Sequence, residues 1–370
     1  MTERVLTLRE LNRTSLQRQM LIERQEVSVT EAVDKLIGLQ SQIPNPPYIG
    51  LWTRLKNFSK DDLTHTIENR KIVRAAMMRS TLHLMTTEVY GKIQKTIQPA
   101  LEKGFRSFFG KHVADVDVEK LVAAAKPFLE EAPRSMGELR EFLLTIQPDV
   151  DPAALSYAIR TYLPLVQVPP SGTWGVGTRA SYIPADMWLD EPQDADAIGV
   201  FKLYLAGYGP ASIMDFQAFT GLTSLSKTIN AAKDEFTLYR NEDGKELFDL
   251  PELDIISGDT PVPVTFLPEY ENALISYKDR NRILPDEHRK KVFLTAGRVA
   301  STVLVDGFVA GTWKSDRDKD TATLRIDLFE DASSTIKDKI VDEAQHLLQF
   351  IEEDVENYYI VFEWCYNFHR

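Results

Sequence analysis

Two glutamines separated by a single residue, Gln40 and Gln42, stand in the stretch Gly38-Leu39-Gln40-Ser41-Gln42-Ile43-Pro44-Asn45-Pro46-Pro47-Tyr48. A carboxamide offers one acceptor oxygen and two donor hydrogens, so one amide can accept from a water while its neighbour holds that water or contacts a second group. Orientation of this kind lowers a barrier without moving a proton onto the protein. It requires both side chains on one side of the backbone. Residues two apart lie about 200° apart on an α-helix but on the same side of an extended chain. Ile43 precedes Pro44 and is pushed out of the helical region, which predicts that the upstream helix ends near Leu39 or Gln40 and aims both amides one way. Tyr48 and Trp52 are expected to pack beneath them.

Other chemistries are missing from the sequence. It contains no P-loop, no clear dinucleotide fingerprint, no His-Glu-x-x-His and no Gly-x-Ser-x-Gly, and its six histidines are scattered without metal-ligand spacing. No metal and no cofactor are expected. The single cysteine, Cys365, allows no internal disulfide and no cysteine-based zinc site, which suits a reducing cytoplasm. Hydrophobic residues at 43% and charged residues at 26% describe an ordinary globular chain. No secretory signal and no run of about 18 apolar residues is apparent, so a cytoplasmic protein without a membrane partner is expected.

The 370 residues suffice for several cores. Residues 1–112 read helix, helix, helix, hairpin, with helix starts at Thr7-Leu8-Arg9-Glu10, Ser28-Val29-Thr30-Glu31 and Ser59-Lys60-Asp61-Asp62. The hairpin spans Ile72 to Met85, with Leu82 and Leu84 facing in and Arg79, Thr81 and His83 facing the other way. Residues 113–192 repeat the order: helices Val118–Glu130, around Ser135–Thr145 and Asp151–Leu163, then a hairpin over Leu165–Ile183 turning at Pro169-Pro170-Ser171-Gly172. Asp186, Asp190, Glu191, Pro192, Asp194 and Asp196 read as a linker. Residues 193–252 repeat it a third time, with helices Ile198–Ala206, Pro210–Phe219 and Leu225–Asp234 and strands Phe236–Asn241 and Lys245–Leu250. Three helices and a two-stranded wing make a winged helix.

From residue 253 to 370 the pattern turns to strands: Val262–Leu267, Val292–Thr295, Ala300–Val305, Phe308–Trp313 and Thr321–Leu328, with a hairpin signal at Asp306-Gly307. A helix from Ser334 to about Val355 leads to a last strand, Tyr358–Trp364. The expected fold class is α+β, with three tandem winged-helix domains followed by a barrel-like β domain covered by one long helix.

The net charge of −12 speaks against general nucleic-acid binding, but it is unevenly spread. Residues 1–112 carry 18 Lys+Arg against 11 Asp+Glu, and the remainder carries 25 against 44. A basic end on an acidic protein can face phosphates while the rest repels them. A second cationic stretch contains Lys278, Arg280, Arg282, Arg289, Lys290, Lys291 and Arg298.

These residues also carry a resemblance. Gly-Leu-Gln-Ser-Gln followed by Pro-x-Pro-Pro-Tyr-x-Gly-Leu-Trp, then Arg79-Ser80-Thr81-Leu82-His83-Leu84, Tyr208-Gly209-Pro210-Ala211, Thr220-Gly221-Leu222, Tyr277-Lys278-Asp279-Arg280, Val303-Leu304-Val305-Asp306-Gly307 and Gly311-Thr312-Trp313, is similar to the bacterial winged-helix DNA glycosylases of the azinomycin-resistance type. The similarity runs nearly end to end. It implies a Gln-aliphatic-Gln catalytic motif, here with Ser41 in the middle, so Gln40 and Gln42 are the expected catalytic pair. The hairpin face and the two basic stretches are the expected DNA surface, with Arg79, Ser80, Thr81, His83, Lys278, Arg280, Arg282 and Arg298 contributing.

The resulting expectation is a monomeric, monofunctional DNA glycosylase acting on bulky or cationic alkylated purines in double-stranded DNA, including interstrand crosslinks. An N7- or N3-alkylated purine already carries positive charge, so its glycosidic bond breaks with little need of acid and the protein has only to place water. The alternatives are a non-catalytic winged-helix regulator and a module whose acidic C-terminal part binds a protein.

Overall fold

The computed structural model describes residues 4–111, 115–177, 179–189 and 195–363. Asp190, Glu191, Pro192 and Asp194 of the expected linker, together with Trp364 and Cys365, lie outside the described residues. The chain is α+β. Its three N-terminal helix starts form as expected: Leu8–Arg18 follows Thr7, Val29–Lys35 follows Ser28 and Lys60–Glu68 follows Ser59. The capping carboxylates of Glu10, Glu31 and Asp62 accept the backbone N–H groups of Thr7, Ser28 and Ser59 at 2.8–2.9 Å, satisfying donors that a helix end leaves open.

Two helices of this segment depart from expectation. Pro46–Arg54 is helical, because Pro46 and Pro47 occupy the first turn, where a missing N–H costs nothing and a fixed φ helps. Thr87–Phe109, 23 residues long, leaves the hairpin directly, with the Thr86 side chain accepting Val89 N–H at its start.

The first two hairpins are one sheet. Its six strands run in the order Leu39–Gln40, Leu82–Thr86, Ile72–Ala76, Leu165–Gln167, Ser181–Pro184, Arg134–Ser135. Arg74 pairs with Gln167 and Ala75 with Val166. The two hairpins expected as wings therefore share one continuous sheet. Ile72–Ala76 is almost wholly buried, and an edge strand in that position would leave its backbone groups without partners.

The third segment keeps its expected order, with helices Ala197–Tyr208, Ile213–Thr220 and Ser226–Ala231 and the hairpin Thr237–Asn241/Glu246–Asp249. The N-terminal strand Arg4–Leu6 joins this hairpin in parallel. The buried pair Arg18–Asp249, at 2.6 Å, ties the first helix to the same place.

The C-terminal sheet runs Thr265–Leu267, Thr302–Val305, Phe308–Asp318, Thr321–Leu328, Asn357–Glu363. The last pairing is parallel, reached through helix Ser334–Ile351. The first and last strands remain edges, so the sheet is open and the barrel expectation is corrected. One face is filled by Ile340, Ala344, Leu347 and Leu348 of the helix against Phe266, Val303, Leu324 and Ile326, so its apolar side is buried without closure. The expected strand Val292–Thr295 is also corrected: Arg289–Val292 is a helical turn, and Phe293 makes a single bridge to Val299. Asp306 and Gly307 turn the next hairpin at φ 48° and 80°. No helix among the described residues is long and apolar enough to cross a membrane.

Candidate active site

The helix that precedes the glutamines ends at Lys35, four to five residues earlier than Pro44 alone would require. Ile37 and Gly38 have φ of 51° and 85°, and their N–H groups return to Asp34 O and Val33 O at 2.9 Å, the double bond that closes a left-handed helix end. Glycine is needed here for space as well. A Cβ on residue 38 would stand 2.7 Å from both Leu84 O and Met85 Cγ. Leu39–Gln40 then runs extended beside Leu84 and His83, and Ser41 N donates to Leu82 O at 2.7 Å. Gln40 ends this short strand and is buried, as is Ser41, while Gln42 stands exposed at the bend that follows. A glycine and a strand pairing, and not Pro44, end the helix; Pro46 and Pro47 act later, in the first turn of the next one.

Distant segments of the chain hold this turn. Tyr208 Oη donates to Leu36 O at 2.7 Å, and Asn272 Nδ2 donates to Gly38 O at 2.7 Å. Below the motif lies Arg74, only 7% exposed. Its Nε donates to Ser41 O at 3.0 Å and Ser41 Oγ at 3.1 Å, its Nη2 to Ser41 O at 2.6 Å, and its Nη1 to Gln167 Oε1. Gln167 Nε2 donates onward to Tyr182 Oη at 2.7 Å. Burial pulls the Arg74 pKa down, against the opposing influence of Tyr182. The polar middle residue of the motif therefore has a partner: an aliphatic side chain would leave Arg74 Nε with the carbonyl alone.

Arg79 reaches the motif from the hairpin tip. Its Nη2 donates to Gln40 Oε1 at 3.0 Å and lies 3.5 Å from His83 Nε2, and its Nη1 donates to Phe219 O. A guanidinium can only donate, so the atom of Gln40 that faces it is the oxygen. Burial lowers the Arg79 pKa to about 10, with Arg280 adding repulsion. His83 is fully buried, and burial together with Arg79 drives its pKa down to about 3. Its Nδ1 is 3.0 Å from Thr81 O, so Nδ1 carries the proton and Nε2 accepts. A neutral imidazole fixed in this tautomer is a spacer for Arg79 and is unsuited to proton transfer near neutral pH.

The other expected residues are distributed differently. Arg79 and Ser80 both adopt left-handed backbone, and the tip is packed inward on Met77 and Met78, which are fully buried. Among the described residues Ser80 Oγ is buried without a partner, and Thr81 Oγ1 donates to Met78 O at 3.1 Å. Ser80 and His83 are thus turned into the protein, contrary to the outward-facing hairpin expected, because the apolar tip docks under Gly221 and helix Thr87–Phe109. Arg282 is 6% exposed, donates to Ser15 Oγ and Pro210 O, and lies 4.1 Å from the Tyr277 ring centre; it is an interior strut. Arg280 is half-buried against Phe293, with Nε donating to Leu274 O at 3.0 Å. Lys278 and Arg298 are exposed. Tyr48 packs in the same apolar cluster as Leu39, as expected, whereas Trp52 stacks on Phe350 of the C-terminal helix.

Gln42 is exposed, and its Oε1 meets Leu82 N only at 3.5 Å. The carboxamide nitrogens of Gln40 and Gln42 make no hydrogen bond within the described residues. No carboxylate among those residues pairs with Gln40, Gln42, Arg74 or Arg79, and no group of His, Cys, Asp or Glu there could hold a metal. Arg74 is the residue that sequence reasoning missed most plainly, since a lone arginine within Ile72-Val73-Arg74-Ala75-Ala76 is itself a signal of a buried cation needing carbonyl partners. Asn272 carries no such signal.

The two amides, one at the end of a short strand and anchored by an arginine and the other exposed just beyond it, sit in a fold shared with known repair enzymes. The family model for AlkZ-like DNA glycosylases matches residues 33–350, and the chain belongs to that family. It is 24% identical over 324 residues to the interstrand DNA cross-link repair glycosylase of Streptomyces sahachiroi, covering 81% of this chain and 85% of that protein. The solved structure of the Streptomyces sahachiroi DNA glycosylase AlkZ has the same fold, with a TM-score of 0.80 at 21% identity over 96% of this chain and 100% of that one.

Proposed function

We propose that this glycosylase hydrolyses the N-glycosidic bond of bulky or cationic alkylated purines in double-stranded DNA, crosslinked ones included, acting as a monomer through water held by Gln40 and Gln42. The name of the Streptomyces relative supports the crosslink substrate. The observation that carries the mechanism is the Arg79 Nη2 to Gln40 Oε1 hydrogen bond at 3.0 Å.

That bond makes the two amides unequal. Gln40 has its oxygen engaged and its Nε2 hydrogens free, so it donates to the water or to the sugar. Gln42, with a weakly held oxygen, accepts from the attacking water. Neither amide supplies the negative charge with which a carboxylate would stabilise an oxocarbenium-like state. A cationic purine tolerates this, because its departure neutralises charge instead of separating it. The buried cation Arg74 and the half-buried Arg79 add a positive field under the motif that favours the DNA backbone. Segments 1–112, 113–192 and 193–252 are read as three winged-helix units, the first two sharing one sheet, that face DNA jointly with the sheet of 253–370. Lys278, Arg298 and the rim of Arg280 supply phosphate contacts.

A duplex with one N7-methylguanine, incubated with the protein and cleaved by alkali, tests this. Excision is expected from the unmutated protein, reduced by orders of magnitude in Gln40→Ala and somewhat less in Gln42→Ala, with DNA affinity nearly unchanged. Unmutated rates in both variants would remove the glutamines from the mechanism, and no excision by any of the proteins would favour a non-catalytic DNA-binding role.

A further inference from the structure

Directly downstream of Gln42 the chain forms one wall of an open groove of about 830 Å³. Ile43 and Pro46 line it on the motif side, and Trp174, Leu294 and Trp313 line it from two other segments. Asn45 Oδ1 accepts Gly175 N–H at 2.9 Å, which fixes the loop after the glutamines against the loop bearing Trp174. Ile43 and Leu294 are 40% and 39% exposed and present apolar surface to the groove. Ile43 directly follows Gln42, so the groove adjoins the chain at which a base would be excised.

The groove also contains a carboxylate that the fold does not use. Glu269 is half-buried and has no hydrogen bond or ion pair among the described residues. Burial raises its pKa, and Arg298 opposes this only at longer range. The other carboxylates along the groove are engaged, and Lys291 faces a ring rather than a carboxylate. Lys314 and Arg325 approach Glu363 at 3.8 and 3.7 Å, Arg325 binds Asp316 at 2.9 Å, Glu352 accepts from Arg317 at 3.0 Å, and Lys291 lies over the Phe329 ring at 4.4 Å. Asp327 is engaged as well. A groove with Trp174 and Trp313 on its walls and one carboxylate without a partner is complementary to an apolar arm with one cation.

We propose that this groove is the subsite for the alkyl arm of a bulky lesion, that it selects an arm bearing a protonated amine, and that Glu269 is the residue determining that selection. The proposal rests on excision at Gln40 and Gln42. Glu269 touches the arm and not the reacting bond, so it sets which lesion is accepted without changing how the bond breaks.

The test uses the full chain and three duplexes, each with a single N7-guanine adduct: methyl, a neutral alkyl arm, and an arm of equal length ending in a tertiary amine. After subtraction of spontaneous loss, the unmutated protein is expected to excise the amine adduct about tenfold faster than the neutral one, the effect of one charge-assisted contact. Glu269→Gln should abolish that preference by slowing the amine adduct alone. Leu294→Trp, which fills the groove from an exposed position, should slow both armed adducts and leave the methyl adduct at its unmutated rate. If Glu269→Gln keeps the preference, or Leu294→Trp leaves the armed adducts unaffected, the subsite is overturned while excision of N7-methylguanine keeps the glutamine mechanism standing. If the unmutated protein excises none of the three, both fall together.

Discussion

Arg79→Met isolates the contact that distinguishes the two glutamines. Methionine keeps the length and apolar bulk of the side chain and removes all its donors. The approach of the guanidinium to His83 Nε2, at 3.5 Å, is too long to matter much, and its hydrogen bond to Phe219 O belongs to the packing of the hairpin tip. The interaction that bears on chemistry is the 3.0 Å hydrogen bond to Gln40 Oε1. A hydrogen bond to a charged donor contributes about 1.5–3 kcal/mol, and each 1.4 kcal/mol is about tenfold in rate. If that hydrogen bond orients Gln40 in the transition state, single-turnover excision of N7-methylguanine falls by roughly ten- to hundredfold.

Stability moves less. Removal of the hydrogen bond to Phe219 O is offset by no longer burying a guanidinium whose pKa burial holds at about 10, leaving a change of about 1 kcal/mol or less. The decisive assay is the double-mutant cycle with Gln40→Ala. Arg79 acts through Gln40, so the double variant should be as slow as Gln40→Ala alone. Full additivity, or an unmutated rate in Arg79→Met at unchanged stability, would refute the anchoring role.

Three further outcomes follow from the geometry. His83 has its folded-state pKa at about 3 against about 6.5 unfolded, so the unfolded chain binds the extra proton: its contribution to stability is complete above pH 6.5 and is lost as pH falls toward 3, by at most about 1.4 kcal/mol per unit. Urea midpoints at pH 7.5 and 5.5 should therefore converge in His83→Asn, and an unchanged gap would count against it. Gly38→Ala should destabilise by roughly 2–4 kcal/mol in urea unfolding, since it combines left-handed backbone with a Cβ against Leu84 O; a change under about 0.5 kcal/mol would mean that the turn is not strained as described. Lys278→Ala with Arg298→Ala should reduce the log–log salt slope of DNA binding by about two while Arg282→Ala lowers thermal stability instead, and the reverse pattern would invalidate the surface assignment.

The sequence by itself determined the local pieces, because the forces that make them act over a few residues. Thr7, Ser28 and Ser59 start helices together with the carboxylates three residues further on, Asp306-Gly307 turns a hairpin, and Thr321–Leu328 alternates along its whole strand. The glutamine motif was legible for the same reason, as two amides just past a helix that must end. Only the tertiary structure decided what those pieces meet. Ile72–Ala76 is a central strand because Leu165–Gln167, some ninety residues away, covers its edge. That pairing brings Gln167 to Arg74 and Arg74 to Ser41. Arg79, His83 and Arg282 looked alike in the sequence, as polar residues free to face DNA. Whether each became an anchor, a neutral spacer or an interior strut depended on Phe219, Thr81 and Pro210. A buried donor takes whatever acceptor the fold brings within about 3 Å, and no local pattern along the chain encodes which one that will be.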